Sequence, residues 1–120
     1  IDCLNRGKAL WYGPDQDYGR KYAVFAPLFG RRASTISGLT FLSKSGNARI
    51  VPYSYHRKQD CQEYILEFYE ALPETGDEEQ DAKAYNEWLE GAIRRYPAQY
   101  LWLHKRFKTQ ENPDDANPYK

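Results

Sequence analysis

The stretch Ala9-Leu10-Trp11-Tyr12-Gly13-Pro14-Asp15-Gln16-Asp17-Tyr18-Gly19 carries the strongest organising signal in the chain. Its apolar opening, Ala9 to Tyr12, reads as a short buried strand that breaks at Gly13-Pro14, a pair unable to continue a ladder. Two carboxylates, Asp15 and Asp17, follow in a turn that Gly19 closes. Open α/β sheets present functional groups in such turns, at the carboxyl ends of their strands. Aspartate is also a common turn builder, because its side chain accepts hydrogen bonds from the backbone two residues on. On the turn alone, that structural role carries more weight than a functional one.

Upstream of this stretch, residues 1–7 read as the polar end of a helix that Arg6-Gly7-Lys8 closes. Downstream, residues 22–26 read as a second short strand, ended by Pro27 and Gly30. Across residues 33–45 the apolar positions Ile36, Leu39, Phe41 and Leu42 recur at roughly helical spacing, with Gly46 as the C-cap. This segment is rich in Ser and Thr, so such a helix depends on packing. Its small residues Ala33, Ser34, Ser37 and Gly38 allow a close approach to another backbone. Residues 49–55 read as a third strand, with Pro52 at an edge or a bend. Residues 63–69 form a fourth, with Ile65, Glu67 and Tyr69 on one face and Tyr64, Leu66 and Phe68 on the other.

The clearest helix opens within the acidic residues 74–81 and stops at Pro97. Ala82, Tyr85, Leu89, Ala92 and Tyr96 mark its buried stripe, and Thr75 with Glu78 has capping-box spacing. Acid at its start and Arg94-Arg95 at its end complement the helix dipole. After Tyr100-Leu101-Trp102-Leu103, residues 110–120 form a polar, proline-containing tail expected to be disordered at its end. The elements predict an α/β fold, the carboxy-terminal half of a mixed sheet flanked by helices.

A chain of 120 residues is one domain or a piece of one. It contains no Met and opens inside a helix end, which predicts a piece whose amino-terminal part lies elsewhere. Seventeen basic and seventeen acidic residues cancel, and with 16% aromatic content this argues against a dedicated nucleic-acid binder. The basic residues gather as Arg20-Lys21, Arg31-Arg32, Arg57-Lys58 and Lys105-Arg106-Phe107-Lys108. Most such clusters are solvated surface. Cys3 and Cys61 make no disulfide framework, fit a reducing compartment, and sit in no Cys/His ligand pattern. Neither a metal nor another cofactor is expected. The longest apolar run, residues 22–29, contains Pro27 and falls far short of the ~20 residues that cross a bilayer.

Four pieces line up in order along the chain. They are Trp11-Tyr12-Gly13-Pro14-Asp15-Gln16-Asp17-Tyr18-Gly19, then Val24-Phe25-Ala26-Pro27-Leu28-Phe29-Gly30, then Ile50-Val51-Pro52-Tyr53, then residues 99–109 with their Trp102-Leu103-His104-Lys105-Arg106-Phe107-Lys108-Thr109 ending. The series resembles the carboxy-terminal part of the bacterial lipid A biosynthesis acyltransferases, the late lauroyl and myristoyl transferases of the lysophospholipid acyltransferase superfamily. The resemblance covers residues 4–109, leaving 110–120 as the tail. The last piece and the Pro-Asp-x-Asp-Tyr-Gly turn are the specific signals, whereas the Val-Pro strand is weak by itself.

The resemblance implies a glycerolipid-acyltransferase-like fold and an enzyme at the cytoplasmic face of the bacterial inner membrane, anchored by a part outside this chain. Such enzymes move a fatty acyl chain from acyl carrier protein to a hydroxyl of a phosphorylated glucosamine-disaccharide lipid. Their base is a His followed five positions later by an acid. His56 reaches Cys61 at that spacing and His104 reaches Thr109, so neither fits, and the segment alone is expected to be inactive. Asp15 matches the family's turn and is expected to orient a catalytic or substrate group, with Gln16 and Asp17 as second choices. Arg20, Lys21 and Arg57 are candidate contacts for phosphate or acyl carrier protein, since an Arg fork donates two hydrogen bonds to phosphate. For His104 a structural hydrogen bond is expected. The alternatives are an acyltransferase for another glycolipid or lysolipid, and a noncatalytic module binding anionic lipid or acyl carrier protein.

Overall fold

Phe29 and Gly30 both take positive φ, 51° and 74°, and reverse the chain between two strands. The computed structural model, which describes all 120 residues, pairs β1 (Ala23–Leu28) with β2 (Arg31–Ile36) in an antiparallel hairpin with Leu28 opposite Arg31. Two-residue loops of this hand match the twist of the flanking strands. Phe29 is held in its unusual conformation by its backbone N–H, which donates to the Glu90 carboxylate, and by the Arg94 guanidinium 5.0 Å over its ring. Pro27 does not end the first strand as its type predicts. In a two-stranded ladder each strand keeps one free edge, where a missing N–H costs nothing.

The expected helix over 33–45 is split. Ala33 to Ile36 belong to β2, and α2 runs over Gly38–Gly46. Ala33, Ser34 and Thr35 are buried on the strand, and their poor helix propensity gives way to pairing with β1. The expected close approach to another backbone is not what Gly38 meets: its missing Cβ leaves room for the side chain of Tyr12. Asn47, in the left-handed region at φ 44°, takes the capping place expected of Gly46, which is the last helical residue.

α1 (Asp2–Asn5) matches the helix end read at residues 1–7. β3 (Tyr53–Arg57) begins after Pro52 rather than at residue 49, and it pairs antiparallel with β4 (Tyr64–Phe68). On β4 the alternation is as expected, Tyr64, Leu66 and Phe68 exposed and Ile65 and Glu67 half-buried. The four strands therefore make two separate antiparallel hairpins, not part of one mixed sheet. Residues 9–12 are not a buried strand either. They join no ladder, and Leu10 and Trp11 are exposed, because none of the four strands pairs with them.

α3 (Glu78–Arg95) crosses the β1–β2 hairpin and supplies half of the core, Tyr85, Leu89 and Ile93 packing with Leu28, Ala33 and Leu39. Ala82 is buried as expected, but Ile93 replaces Tyr96 at the far end of the stripe. The N-cap is Asp77, whose carboxylate accepts the Gln80 N–H at 2.8 Å. Thr75 instead donates from both its N–H and its hydroxyl to Asp81, at 2.8 and 2.7 Å. Thr40 on α2 donates to the other Asp81 oxygen at 2.7 Å, tying α2 to α3.

Burial by itself raises the Asp81 pKa, but the hydrogen bonds from Thr40, Thr75 and the Gly76 backbone outweigh it and hold the carboxyl below the usual carboxylate range. A folded pKa below the unfolded one means that this stabilisation is present above the unfolded value and is lost as pH falls through the folded one. Asp81→Ala is therefore expected to lower the unfolding free energy by about 2–3 kcal/mol at neutral pH, the cost of stranding buried donors. The difference from the parent protein shrinks below roughly pH 4. Urea unfolding of both proteins at neutral and acid pH measures it, and equal differences at both would remove the carboxylate from the account.

The tail makes contacts with β2 and with the segment before it. Glu111 pairs with Arg32 at 2.9 Å, and the Tyr119 hydroxyl accepts the Phe107 N–H at 3.2 Å.

Candidate active site

Gly13-Pro14 breaks the extended segment, and the two aspartates that follow have opposite surroundings. Asp17 is buried at 3% exposure. One of its oxygens accepts the Gly19 N–H at 2.9 Å, and the other accepts the Thr109 N–H at 2.8 Å. Gly19, at φ 88°, completes the turn, and its carbonyl accepts the Ser34 hydroxyl at 2.5 Å. Asp17 is thus a latch between the turn and the last family motif, 92 residues away. The turn-building role set out for these carboxylates belongs to it.

Asp15 is half-buried, and its carboxylate accepts no hydrogen bond from the protein; only its backbone carbonyl is engaged, by the Tyr100 hydroxyl at 3.2 Å. With Gln16 it lines a cavity of about 1220 Å³. The walls are mostly apolar and aromatic: Tyr12 and Trp11 on one side, Trp88 and Leu89 of α3 beneath, Tyr55 and Phe68 of the second hairpin opposite. A large apolar cavity with a few polar groups is the usual form of a small-molecule or lipid site. Asp15 supplies such a cavity with an uncommitted negative charge, which adds to the effect of burial in raising the pKa values of Tyr85 and Tyr100.

Beneath the turn lies Arg106, 1% exposed. Its guanidinium donates to the Ser34 carbonyl at 2.6 Å and to the Thr35 hydroxyl at 3.0 Å. Asn86 of α3 donates to the same hydroxyl at 3.0 Å, and that hydroxyl donates in turn to the Ala33 carbonyl at 3.1 Å. Burial lowers the Arg106 pKa, and Tyr100, Asp17, Tyr85 and Asp15 oppose the shift. An Arg remains charged in proteins. The result is a fixed positive charge behind the aspartate turn, docked on β2.

The expected site residues are only partly brought together. Asp15 and Gln16 share the cavity and Asp17 braces the turn that carries them. Arg20 points away from the cavity, donating to the carbonyls of Glu111 at 3.0 Å and of Gln110, with its guanidinium 5.4 Å over Phe25. Lys21 lies 4.9 Å over the Tyr22 ring. Arg57 sits on β3, its backbone N–H and carbonyl both clamped by the Gln99 amide at 2.7 and 2.9 Å. None of the three lines the cavity that holds Asp15, and no hydrogen bond joins them. His104 does make a structural contact, its Nδ1 donating to the Leu101 carbonyl, and its Nε2 lies 3.2 Å from the Tyr100 hydroxyl. Reading from the residues gave Tyr100 no role, and the resemblance left open whether Lys105 and Arg106 bind substrate or close the fold; for Arg106 the structure shows the latter.

The α/β chain thus carries a carboxylate turn that lines a largely apolar cavity. Residues 1–109 match the family of bacterial lipid A biosynthesis acyltransferases, and the chain belongs to that family. It is 40% identical over 113 residues to the lipid A biosynthesis lauroyltransferase of Escherichia coli, covering 92% of this chain and 37% of that protein. It is 39% identical over 112 residues to the palmitoleoyltransferase of the same organism, with the same coverage. A lipid A biosynthesis acyltransferase of Haemophilus influenzae is 36% identical over 122 residues, covering 98% of this chain and 39% of that protein. The chain therefore spans well under half the length of these relatives. No helix in it is long and apolar enough to cross a membrane.

Proposed function

We propose that this chain is the acceptor-side wall of a lipid A acyltransferase, the carboxy-terminal part of an enzyme that moves a fatty acyl chain from acyl carrier protein to a hydroxyl of a lipid A precursor. The supporting observation is the Asp15 carboxylate, unpaired at the edge of an apolar cavity on a turn that Asp17 holds rigid. The complete enzyme has a glycerolipid-acyltransferase-like fold and works at the cytoplasmic face of the inner membrane, anchored by a part outside this chain. The family's upstream His takes the proton of the acceptor hydroxyl, whose oxygen attacks the thioester carbonyl. The carbon–sulfur bond breaks, and the departing thiolate receives the proton from the imidazolium. Asp15, with Gln16 beside it, orients the acceptor or the His. Preorganised groups of this kind hold the reacting atoms within attack distance.

The test replaces the matched segment of the E. coli lauroyltransferase with residues 1–109 and measures acyl transfer from acyl carrier protein to the phosphorylated disaccharide acceptor. Transfer by the chimera is the expected result. A folded chimera without transfer overturns the assignment, and binding of acyl carrier protein or anionic lipid without transfer would favour a noncatalytic module.

A further inference from the structure

Tyr100 is in contact with two acceptors and has one proton to give. Its hydroxyl lies 3.2 Å from the Asp15 carbonyl and 3.2 Å from Nε2 of His104. The other ring nitrogen of His104 faces the Leu101 carbonyl, which can only accept, so Nδ1 carries the hydrogen. In neutral His104, Nε2 is then a bare acceptor and competes with the Asp15 carbonyl for the Tyr100 proton. In the imidazolium both nitrogens are donors. Nε2–H then donates to the Tyr100 oxygen, and the Tyr100 proton is left for the Asp15 carbonyl. Only that state satisfies every contact in the chain Leu101–His104–Tyr100–Asp15.

We infer that Tyr100 is a positioning residue for the Asp15 turn, and that His104 gates it through its protonation. The inference rests on the reading of Asp15 as a functional group of the acyltransferase. Tyr100 spans from the last family motif to the turn, 85 positions apart in sequence, and lines the same cavity as Asp15. The other charged and titratable groups around it are Asp15 on the turn, Tyr85 on α3, and Arg106 and Tyr119 on the carboxy-terminal segment. Lys105 adjoins His104 in sequence. Tyr100 itself stays protonated, since burial foremost pushes its pKa upward. The hydroxyl holds the backbone carbonyl of Asp15, so the group it fixes is the position of the turn and not the charge of the carboxylate.

The experiment compares Tyr100→Phe, His104→Gln and Asp15→Asn in the complete enzyme that carries this chain, measuring kcat and KM across the range in which histidines change charge, about pH 5 to 8 and one unit beyond. Tyr100→Phe is expected to lower kcat about tenfold, the effect of one hydrogen bond, with KM for the acceptor unchanged. The parent enzyme is expected to lose kcat on the alkaline side. His104→Gln carries no ionisable group, and its kcat is expected to hold level there. Parental kcat in Tyr100→Phe, or the parental alkaline decline in His104→Gln, overturns the inference. Where Tyr100→Phe fails to fold, the His104→Gln profile decides alone. Parental turnover in Asp15→Asn overturns the underlying reading of Asp15 instead, so the two failures are distinguishable.

Discussion

Asp15→Asn is expected to lower turnover of the complete enzyme by about 100-fold or more while its thermal midpoint stays near that of the parent, and Asp17→Asn is expected to do the reverse. The two carboxylates are two residues apart in one turn, and only the resemblance puts Asp15 ahead of Asp17. Their surroundings differ. The Asp15 carboxylate accepts no protein hydrogen bond, and replacing it with an amide strands no partner. What it loses is a charge that positions a reacting group, and misplacing such a group costs roughly 100-fold. The Asp17 carboxylate accepts two backbone N–H groups, one from the turn itself and one from Thr109 in the last motif. An amide supplies one acceptor oxygen and a donor facing an N–H, so at least one contact is broken at a cost of about 1–3 kcal/mol. Single-turnover rates and melting curves on the same preparations separate the two effects. Loss of stability in both variants with activity proportional to folded protein would make Asp15 a turn former like its neighbour.

The 120-residue chain by itself is expected to transfer no acyl group. General-base catalysis contributes roughly 100- to 10,000-fold, and neither imidazole is placed to supply it. His56 is buried on β3 and stacked on Tyr96 with ring centroids 3.9 Å apart. Its Nδ1 makes no hydrogen bond, the nearest carboxylate oxygen, on Glu67, being 3.8 Å away. His104 has Nδ1 committed to the Leu101 carbonyl. Neither lines the cavity that holds Asp15. Incubation of the purified chain with labelled acyl carrier protein and the phosphorylated acceptor checks this, and product above a heat-inactivated control would show that a base exists within these residues.

How much of this could be read from the residues depends on how local the determining contacts are. The β4 alternation and most of the α3 stripe were legible, because each follows from the period of a single element. The division of residues 33–45 was not. The spacing of Ile36, Leu39, Phe41 and Leu42 satisfies a helix, and what overrides it is the ladder with β1, closed by a Phe29-Gly30 turn whose φ angles no window over 33–45 contains. Residues 9–12 keep the apolar run that marks a strand, yet strand identity needs a neighbour, and pairing is not a property of four residues. At the site, the turn and Asp15 were visible from Gly, Pro and Asp in sequence. The resemblance ranked Asp15 ahead of Asp17, but what buries Asp17 was not visible, since its second partner is the Thr109 N–H far along the chain. Arg20, Lys21 and Arg57 were chosen as candidate anion contacts by charge and the resemblance, and neither says that Arg20 donates to two carbonyls of the tail.

The latch from Asp17 to Thr109 also orders events in time. A ribosome delivers the aspartate turn some ninety residues before the backbone N–H that fastens it, and Arg106, which docks on β2, emerges only three positions ahead of that N–H. The α3 helix and the first hairpin can form while the chain is still being made, since domains assemble from the amino-terminal side during synthesis. The turn stays loosely held through that interval, and closing so long a loop is a late entropic step. A polypeptide released before residue 106 would therefore lack both the Arg106 contacts to Ser34 and Thr35 and the Thr109 N–H that holds Asp17, leaving the aspartate turn to the Ser34 and Tyr100 hydroxyls alone.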